Sequence, residues 1–336
     1  MERNTKHKLE FLPRLCAVFC LVLMLVLSGC GGSGGGGGSR GSTTDFPVPT
    51  ASGDVTYGSG GVSIDASNTS DGYFMVKYSG SASKIKIQVT GTDNAVYMYT
   101  SHKGDWETFP LTTGNGRYKI DVLENVSGDM YTLACSQSID VTIDNEFSPF
   151  LFPNQYVWFS AGMESMKLAA ELSEESSDDL NFVENVYNYV IKEIDYDYDK
   201  ANNVPLDYVP SIDETLSTGK GICFDFASLM ASILRSQKVP TKLVVGYSGS
   251  AYHAWISVYT KETGWVDNII EFDGKNWSLM DPTLAASNDE SAVGEYVGHG
   301  STYTAKYNYC RRSKQWLEQI NILQTQRWQP FAIRLP

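Results

Sequence analysis

The sequence predicts an α+β protein in which a helix that begins at a cysteine packs on an antiparallel sheet, preceded by an all-β N-terminal region. The helix is predicted from Cys223 onward, because apolar residues recur there at the spacing of one buried helical face. The sheet is predicted after Pro240, where a β-branched run and then an alternating run follow. The all-β region is predicted from short alternating runs between residues 45 and 146.

Residues 1–29 have the features of a targeting segment. Four basic residues precede an apolar run at residues 15–27, and the letters LSGC close the segment at Cys30. The pattern resembles a bacterial lipoprotein signal, which implies that Cys30 is the acylated first residue of the mature chain. A plain transmembrane anchor is the alternative, but the apolar run is shorter than the roughly 20 residues that span a bilayer.

Residues 30–44 are Gly- and Ser-rich and are predicted to form a flexible tether behind the lipid. The whole chain has a net charge of −13, and the signal carries four basic and two acidic residues, so the mature chain has −15. Such an acidic body repels polyanions, which argues against nucleic acid as a partner. The sequence therefore predicts an exported protein, lipid-anchored to the bacterial cell membrane and facing the exterior.

Residues 45–146 are predicted to form a sandwich-like all-β domain. Turn-forming Gly, Asn, Asp and Ser separate its apolar runs. The runs are YFMVKY, KIKIQV, AVYMYT, GRYKIDVL, MYTLAC and IDVTI. No cluster of titratable residues among them indicates chemistry, so a structural or binding module is expected.

Two helices and a long polar loop are predicted after this domain. The helices cover Met163–Glu175 and Asp178–Ile194, and the second should pack behind the Cys223 helix. The loop, Asp195–Gly219, is long enough to face a substrate. Asp195, Asp197 and Asp199 alternate like the first ligands of a calcium loop. The glycine and distal Glu of such a loop are missing, so a solvated turn is preferred.

Cys223 is a candidate nucleophile. A thiol in the first turn of a helix lies at the positive end of the helix dipole, which favours the thiolate. A small buried cysteine is the alternative interpretation. Two later residues provide the partners that a thiol nucleophile needs: His253, at the start of the strand YHAWISVY, as the base, and Asp281, at the end of WSLMDPT, as the group that orients the base.

These blocks resemble the transglutaminase-like superfamily of cysteine acyl-transfer enzymes, whose core is related to that of papain-type proteases. The resemblance covers roughly residues 187–309, and the three blocks occur in the family's order. It implies a catalytic domain at residues 147–310 with Cys223 as nucleophile, His253 as base and Asp281 as orienting carboxylate. The stretch between the last two residues is longer than in compact members, so Asp267 and Asp273 remain alternatives for the carboxylate.

The remaining cysteines give no metal motif. No C-x-x-C pair exists, so a structural zinc site is not expected, and neither a metal nor a cofactor is predicted. Cys135 and Cys310 are candidates for a disulfide in an exported protein. Residues 311–336 form a basic tail that is either a short helix folded back onto the body or a frayed end.

The expected function is a surface-anchored cysteine enzyme that acts on amide bonds of proteins or peptides, with cell-wall peptides as one substrate class. A Cys223 thioester would be resolved by water or by an amine. Gln155, Trp158 or a residue of the Asp195–Gly219 loop is the expected second oxyanion donor, beside the Cys223 backbone N–H. The alternative function is a non-catalytic binding or adhesion lipoprotein that retains the fold.

Overall fold

The computed structural model describes residues 39–205, 207–248, 251–261 and 263–266, together with the backbone of short strands at 271–272, 277–278, 303–308 and 333–334. The predicted signal, Cys30 and most of the tether lie outside the described residues. None of the described helices is both long enough and apolar enough to cross a bilayer.

The first half of the described chain forms two antiparallel sheets. The four-stranded sheet has the order β1-β2-β3-β6 and comprises β1 (Thr56–Tyr57), β2 (Val62–Asp65), β3 (Tyr73–Tyr78) and β6 (Glu107–Pro110). The five-stranded sheet has the order β17-β8-β7-β4-β5 and comprises β4 (Ile85–Thr90), β5 (Val96–Ser101), β7 (Gly116–Ser127), β8 (Met130–Val141) and β17 (Ile333–Arg334). Inward-facing residues of both sheets share one apolar core.

Two details of this region differ from the sequence prediction. The runs MYTLAC and IDVTI were expected as separate strands, but β8 is continuous from Met130 to Val141. No Gly or Pro interrupts the three polar residues between the runs, and they pair with Lys119–Asp121 of β7, so the ladder continues through them. At the C-terminus, β17 pairs with Met130 and Tyr131 of β8, where the sequence had left a frayed end or a helix open.

The second half is built from five helices and a third sheet. The helices are α1 (Glu164–Glu174), α2 (Asp179–Glu193), α3 (Tyr198–Asn203), α4 (Ile212–Thr218) and α5 (Cys223–Ser236). The sheet has the order β13-β12-β11-β16 and comprises β11 (Thr241–Ser248), β12 (Ala251–Thr260), β13 (Gly264–Val266) and β16 (Tyr303–Asn308). Two-stranded pairs are formed by β9 (Asp195–Tyr196) with β10 (Lys220–Gly221) and by β14 (Glu271–Phe272) with β15 (Trp277–Ser278).

Helix α5 is the centre of this half. Twelve of its fourteen residues are buried, because it packs on β11 and β12 and is covered by α1, α2 and α4. The predicted boundaries of α1, α2, α5 and β12 agree with the structure to within about one residue. Asp178 caps α2 by accepting from the Asn181 N–H at 2.8 Å. This helix-on-sheet arrangement is the α+β fold that the sequence predicts.

The end of the predicted tether contacts the helices in the structure. Arg40 donates hydrogen bonds to Asp179, Ser173 and the Gln237 carbonyl, and its guanidinium lies 4.6 Å from the centre of the Phe182 ring. Thr43 exchanges hydrogen bonds with the Gln237 side chain at 2.9 and 3.0 Å. Residues 39–44 belong to the stretch that is predicted to be a flexible tether because it is poor in apolar groups, and in the structure Arg40 joins them to α1, α2 and the end of α5.

Candidate active site

Cys223 is the first residue of α5 and is half-buried. Its N-cap, Ile222, has extended backbone (φ −102°, ψ 175°), so the chain turns into the helix at the cysteine itself. The thiol therefore lies among the first-turn N–H groups, at the positive end of the helix dipole. This position stabilises a thiolate and was predicted from the sequence.

His253 is buried on β12, 9% exposed, and its ring centre is 6.2 Å from that of Trp255. It lies opposite Gly246 of β11, where β11 shifts its register with β16 between Val245 and Gly246. Irregularities of this kind re-aim side chains and are common beside active sites. Because α5 packs on β12, the structure brings together the helix that begins with Cys223 and the strand that carries His253.

The third predicted residue cannot be placed in the same way. Asp281 and both alternatives, Asp267 and Asp273, lie outside the described residues, as does Cys30. Cys135 is half-buried on β8, and Cys310 also lies outside the described residues, so their pairing stays a prediction.

The contacts of Gln155 and Trp158 distinguish these two candidates for the second oxyanion donor. The Gln155 side-chain amide donates to the Thr100 carbonyl of β5, and its backbone N–H donates to the Thr108 carbonyl at 3.3 Å. Both the side-chain and the backbone nitrogen of Gln155 therefore donate to carbonyls of strands at the sheet edges. Trp158 is 46% exposed. Its indole N–H remains a candidate oxyanion donor.

The aromatic residues near the site pack mainly within the protein. Trp255 is buried, and Trp265 packs against Phe150 with ring centres 5.3 Å apart. The Lys242 ammonium lies 3.5 Å from the centre of the Trp265 ring. Trp255 is thus buried, whereas Trp265 is half-buried. The side chains of Tyr252 and Trp277 are outside the described residues.

The Asp195–Gly219 segment is more ordered than the predicted loop. It contains β9, α3 and α4, and Asp197 caps α3 by accepting from the Lys200 N–H at 2.8 Å. Capping is the ordinary role of an aspartate at a helix start, which accounts for this residue without calcium. Within the described residues, no group of three or more His, Cys, Asp or Glu could hold a metal ion.

Three polar residues beside Cys223 were missed by the sequence analysis. Asp225, in the first turn of α5, is fully buried and contacts both Lys200 and Tyr208. Burial raises the pKa of Tyr208 well above its ordinary value, and its hydrogen bond to Asp225 raises it further. An acid three residues after the N-cap is a capping signal that could have identified Asp225. The other two residues are 25 and 17 positions away, so no local pattern links them to it.

The chain is similar to known proteins in the region that contains Cys223 and His253. Residues 166–268 match the family model of the transglutaminase-like superfamily. The chain is 35% identical over 80 residues to the UPF0252 protein PH1321 of Pyrococcus horikoshii, covering 23% of each protein. It is 28% identical over 207 residues to the uncharacterized protein YebA of Bacillus subtilis, covering 54% of this chain and 26% of that protein. The chain thus spans about a quarter of the length of these curated relatives.

Among solved structures, the periplasmic domain of TgpA from Pseudomonas aeruginosa aligns at 17% identity with a TM-score of 0.32, covering 61% of this chain and 88% of that one. The family match includes Cys223 and His253, together with all of α5, β11 and β12. In the structure, a cysteine begins a helix, and this helix packs on a sheet that carries a histidine. The sequence blocks predicted this arrangement. Residues 166–268 are therefore similar to the core of the transglutaminase-like superfamily.

Proposed function

We propose that this protein is a cysteine enzyme that acts on amide bonds of proteins or peptides through a thioester on Cys223. The observation that carries the proposal is the position of Cys223 at the start of α5, a helix packed on the strand that holds His253. A buried helix and sheet hold both groups on rigid elements, as a nucleophile and its base require. The family match of residues 166–268 supports the same chemistry.

The reaction has two stages. In the first, the Cys223 thiolate attacks the amide carbonyl carbon and forms a C–S bond, while the oxyanion is stabilised by the N–H groups of the α5 start. His253 then gives its proton to the departing nitrogen as the C–N bond breaks, which leaves a thioester and a free amine. In the second stage, water or an amine attacks the thioester, His253 accepts its proton, and the C–S bond breaks to restore the thiolate.

Hydrolysis is the outcome we favour. Transfer to an amine needs aromatic walls that shield the thioester from water. Trp265 packs against Phe150, with ring centres 5.3 Å apart, which leaves one fewer aromatic group to form such a wall. Asp281 is proposed as the carboxylate that holds the His253 ring, and Cys30 as the lipidated residue that anchors the enzyme outside the bacterial membrane. Cell-wall peptides and surface polypeptides are the proposed substrates.

The test is activity-based labelling of the purified full chain with a panel of glutamine-containing and cell-wall peptides, read by mass spectrometry. We expect an acyl adduct on the peptide that contains Cys223 and product release with uptake of water. Cys135→Ala is the matched control, because that cysteine is also half-buried but lies on β8, and it should keep full turnover. Turnover by Cys223→Ala would overturn the mechanism, and efficient uptake of an added primary amine would overturn hydrolysis. A protein that binds peptides without forming an adduct would instead be the non-catalytic binding lipoprotein.

A further inference from the structure

A buried carboxylate lies in the same helical turn as the candidate nucleophile. Asp225 is two residues after Cys223, its side chain has no exposed surface, and it has three partners. Its Oδ2 accepts from the Ile222 backbone N–H at 2.8 Å and lies 2.7 Å from the Lys200 ammonium, while its Oδ1 accepts from the Tyr208 hydroxyl. A carboxylate can be buried at modest cost only when it is paired and hydrogen-bonded in this way.

The partners come from the segment between α2 and α5. Lys200 belongs to α3, and its ammonium lies 4.6 Å from the centre of the Tyr208 ring, so the two partners of Asp225 also contact each other. Tyr208 contacts Phe224, with ring centres 6.5 Å apart. The segment that sequence analysis expected to face the substrate is thus joined to the start of α5 through one carboxylate.

The backbone that precedes Cys223 is held by the same segment and lies against Asp225. The Asp197 N–H donates to the Gly221 carbonyl at 2.8 Å, and Gly221 pairs with Tyr196 in the parallel β9–β10 ladder. A Cβ on Gly221 would lie 2.8 Å from the Asp225 Cβ, so only glycine fits without a shift. Asp225 therefore fixes both the backbone that leads into Cys223 and the first turn that follows it.

The charge of Asp225 has a further consequence for the thiol. An anion in the first turn opposes the helix dipole and disfavours a neighbouring thiolate, whereas a cation paired with that anion cancels its effect. Lys200 supplies this cation from outside the helix, and its side chain is mostly buried against its partners.

We propose that Lys200, Tyr208 and Asp225 are positioning residues for Cys223, and that the Lys200–Asp225 pair sets the charge balance on which the Cys223 thiolate depends. The proposal rests on the proposed function, because it treats Cys223 as the nucleophile. Other charged or titratable groups on the elements around the start of α5 include His253 on β12, Asp213 and Glu214 on α4, Lys220 on β10, Asp195 and Tyr196 on β9, and Asp197 and Asp199 at the start of α3. None of them is altered in the test, so their contribution is common to every variant.

The test measures the pH dependence of iodoacetamide alkylation of the Cys223-containing peptide in the full chain, without substrate. In Lys200→Met the carboxylate is left uncompensated, so the midpoint should rise by on the order of one pH unit. In Asp225→Asn the cation is left uncompensated, so the midpoint should fall by a similar amount. The double variant should return to the wild-type midpoint, and Lys200→Arg, which keeps the charge, should match the wild type.

A purely structural role would not give shifts of opposite sign that cancel in the double variant. Midpoints for Lys200→Met and Asp225→Asn that stay within about 0.2 pH units of the wild type, or that move in the same direction, would overturn the proposal. If Lys200→Met does not fold, as judged by its thermal transition, the shift of Asp225→Asn decides alone. A wild-type midpoint near the ordinary thiol value of about 8.5 would count against the proposed function, while the differences between variants would still test the charge balance.

Discussion

The Tyr156 ring packs against Phe224, the residue after Cys223, with ring centres 5.2 Å apart and an interplanar angle of 61°. On its other side, Tyr156 stacks on Tyr99 of β5 at 5.4 Å, and its hydroxyl donates to the Met98 carbonyl at 3.3 Å. One side chain thus connects the N-terminal sheets with the start of the cysteine helix. The core of the two halves is continuous through this contact.

We expect Tyr156→Ala to lower the free energy of unfolding by about 3 kcal/mol, because it leaves a cavity between two aromatic rings. Tyr198→Ala is the control, since that tyrosine is 58% exposed, and it should cost less than about 0.5 kcal/mol. Urea unfolding of the two variants measures both values. A loss in Tyr156→Ala as small as the one expected of the control would show that the two halves do not depend on Tyr156.

Arg40→Ala should release residues 39–44 from the helices. It removes the bonds to Asp179, Ser173 and the Gln237 carbonyl, and we expect a loss of about 2 kcal/mol in unfolding free energy. Limited proteolysis should then cut this segment faster. Arg117→Ala is the control, because its bidentate pair with Asp140 is solvent-exposed, and it should leave the rate of cutting unchanged. An unchanged rate in Arg40→Ala would contradict the docked segment.

Gly221→Ala should disturb the entry to α5. The new methyl would meet the Asp225 Cβ at 2.8 Å and the Thr215 Cγ2 at 3.2 Å, so we expect a loss of about 2 kcal/mol and slower labelling of Cys223. Lys220→Arg, at the exposed neighbouring position of β10, keeps the charge and should change neither quantity measurably. Thermal unfolding and Cys223 labelling rates of the two variants test this prediction. Wild-type stability and labelling in Gly221→Ala would show that the contacts around Gly221 can give way to a methyl group.

The stability of the N-terminal sheets should fall at alkaline pH in part through Tyr118. Burial raises the pKa of Tyr118 to about 12, although its hydrogen bonds at Thr113 oppose the shift. Because the pKa is higher in the folded than in the unfolded state, the contribution is complete below about pH 10 and is lost as the pH rises to about 12. The full contribution of Tyr118 to the free energy of unfolding is on the order of 2 kcal/mol.

Tyr118→Phe removes this pH dependence. We expect the variant to be less stable than the wild type by about 1 kcal/mol at pH 8, because the bond to the Gly114 carbonyl at 2.8 Å is lost. In urea unfolding experiments, the wild type should lose its advantage as the pH rises above 10 and should become the less stable of the two proteins towards pH 12. Parallel curves over that range would contradict the assignment.

The sequence alone determined which elements carry the chemistry. The apolar spacing after Cys223 and the alternation around His253 are local patterns, and each element lies where its pattern placed it. The start of α5 at the cysteine was also readable, because the change from extended to helical backbone depends on neighbouring residues. The join of two runs into β8 was missed, since strand length depends on a partner strand that supplies hydrogen bonds.

Only the tertiary structure decided what surrounds the candidate nucleophile. Lys200 and Tyr208 are distant from Asp225 in sequence, and nothing in their own neighbours marks them as its partners. The docking of Arg40 has the same origin, because its acceptors come from α1, α2 and the end of α5. A buried charge is matched by whichever opposite or polar groups the fold brings to it. Periodicity reports which side of an element is buried, but the pairing of polar groups across the core depends on how the elements pack.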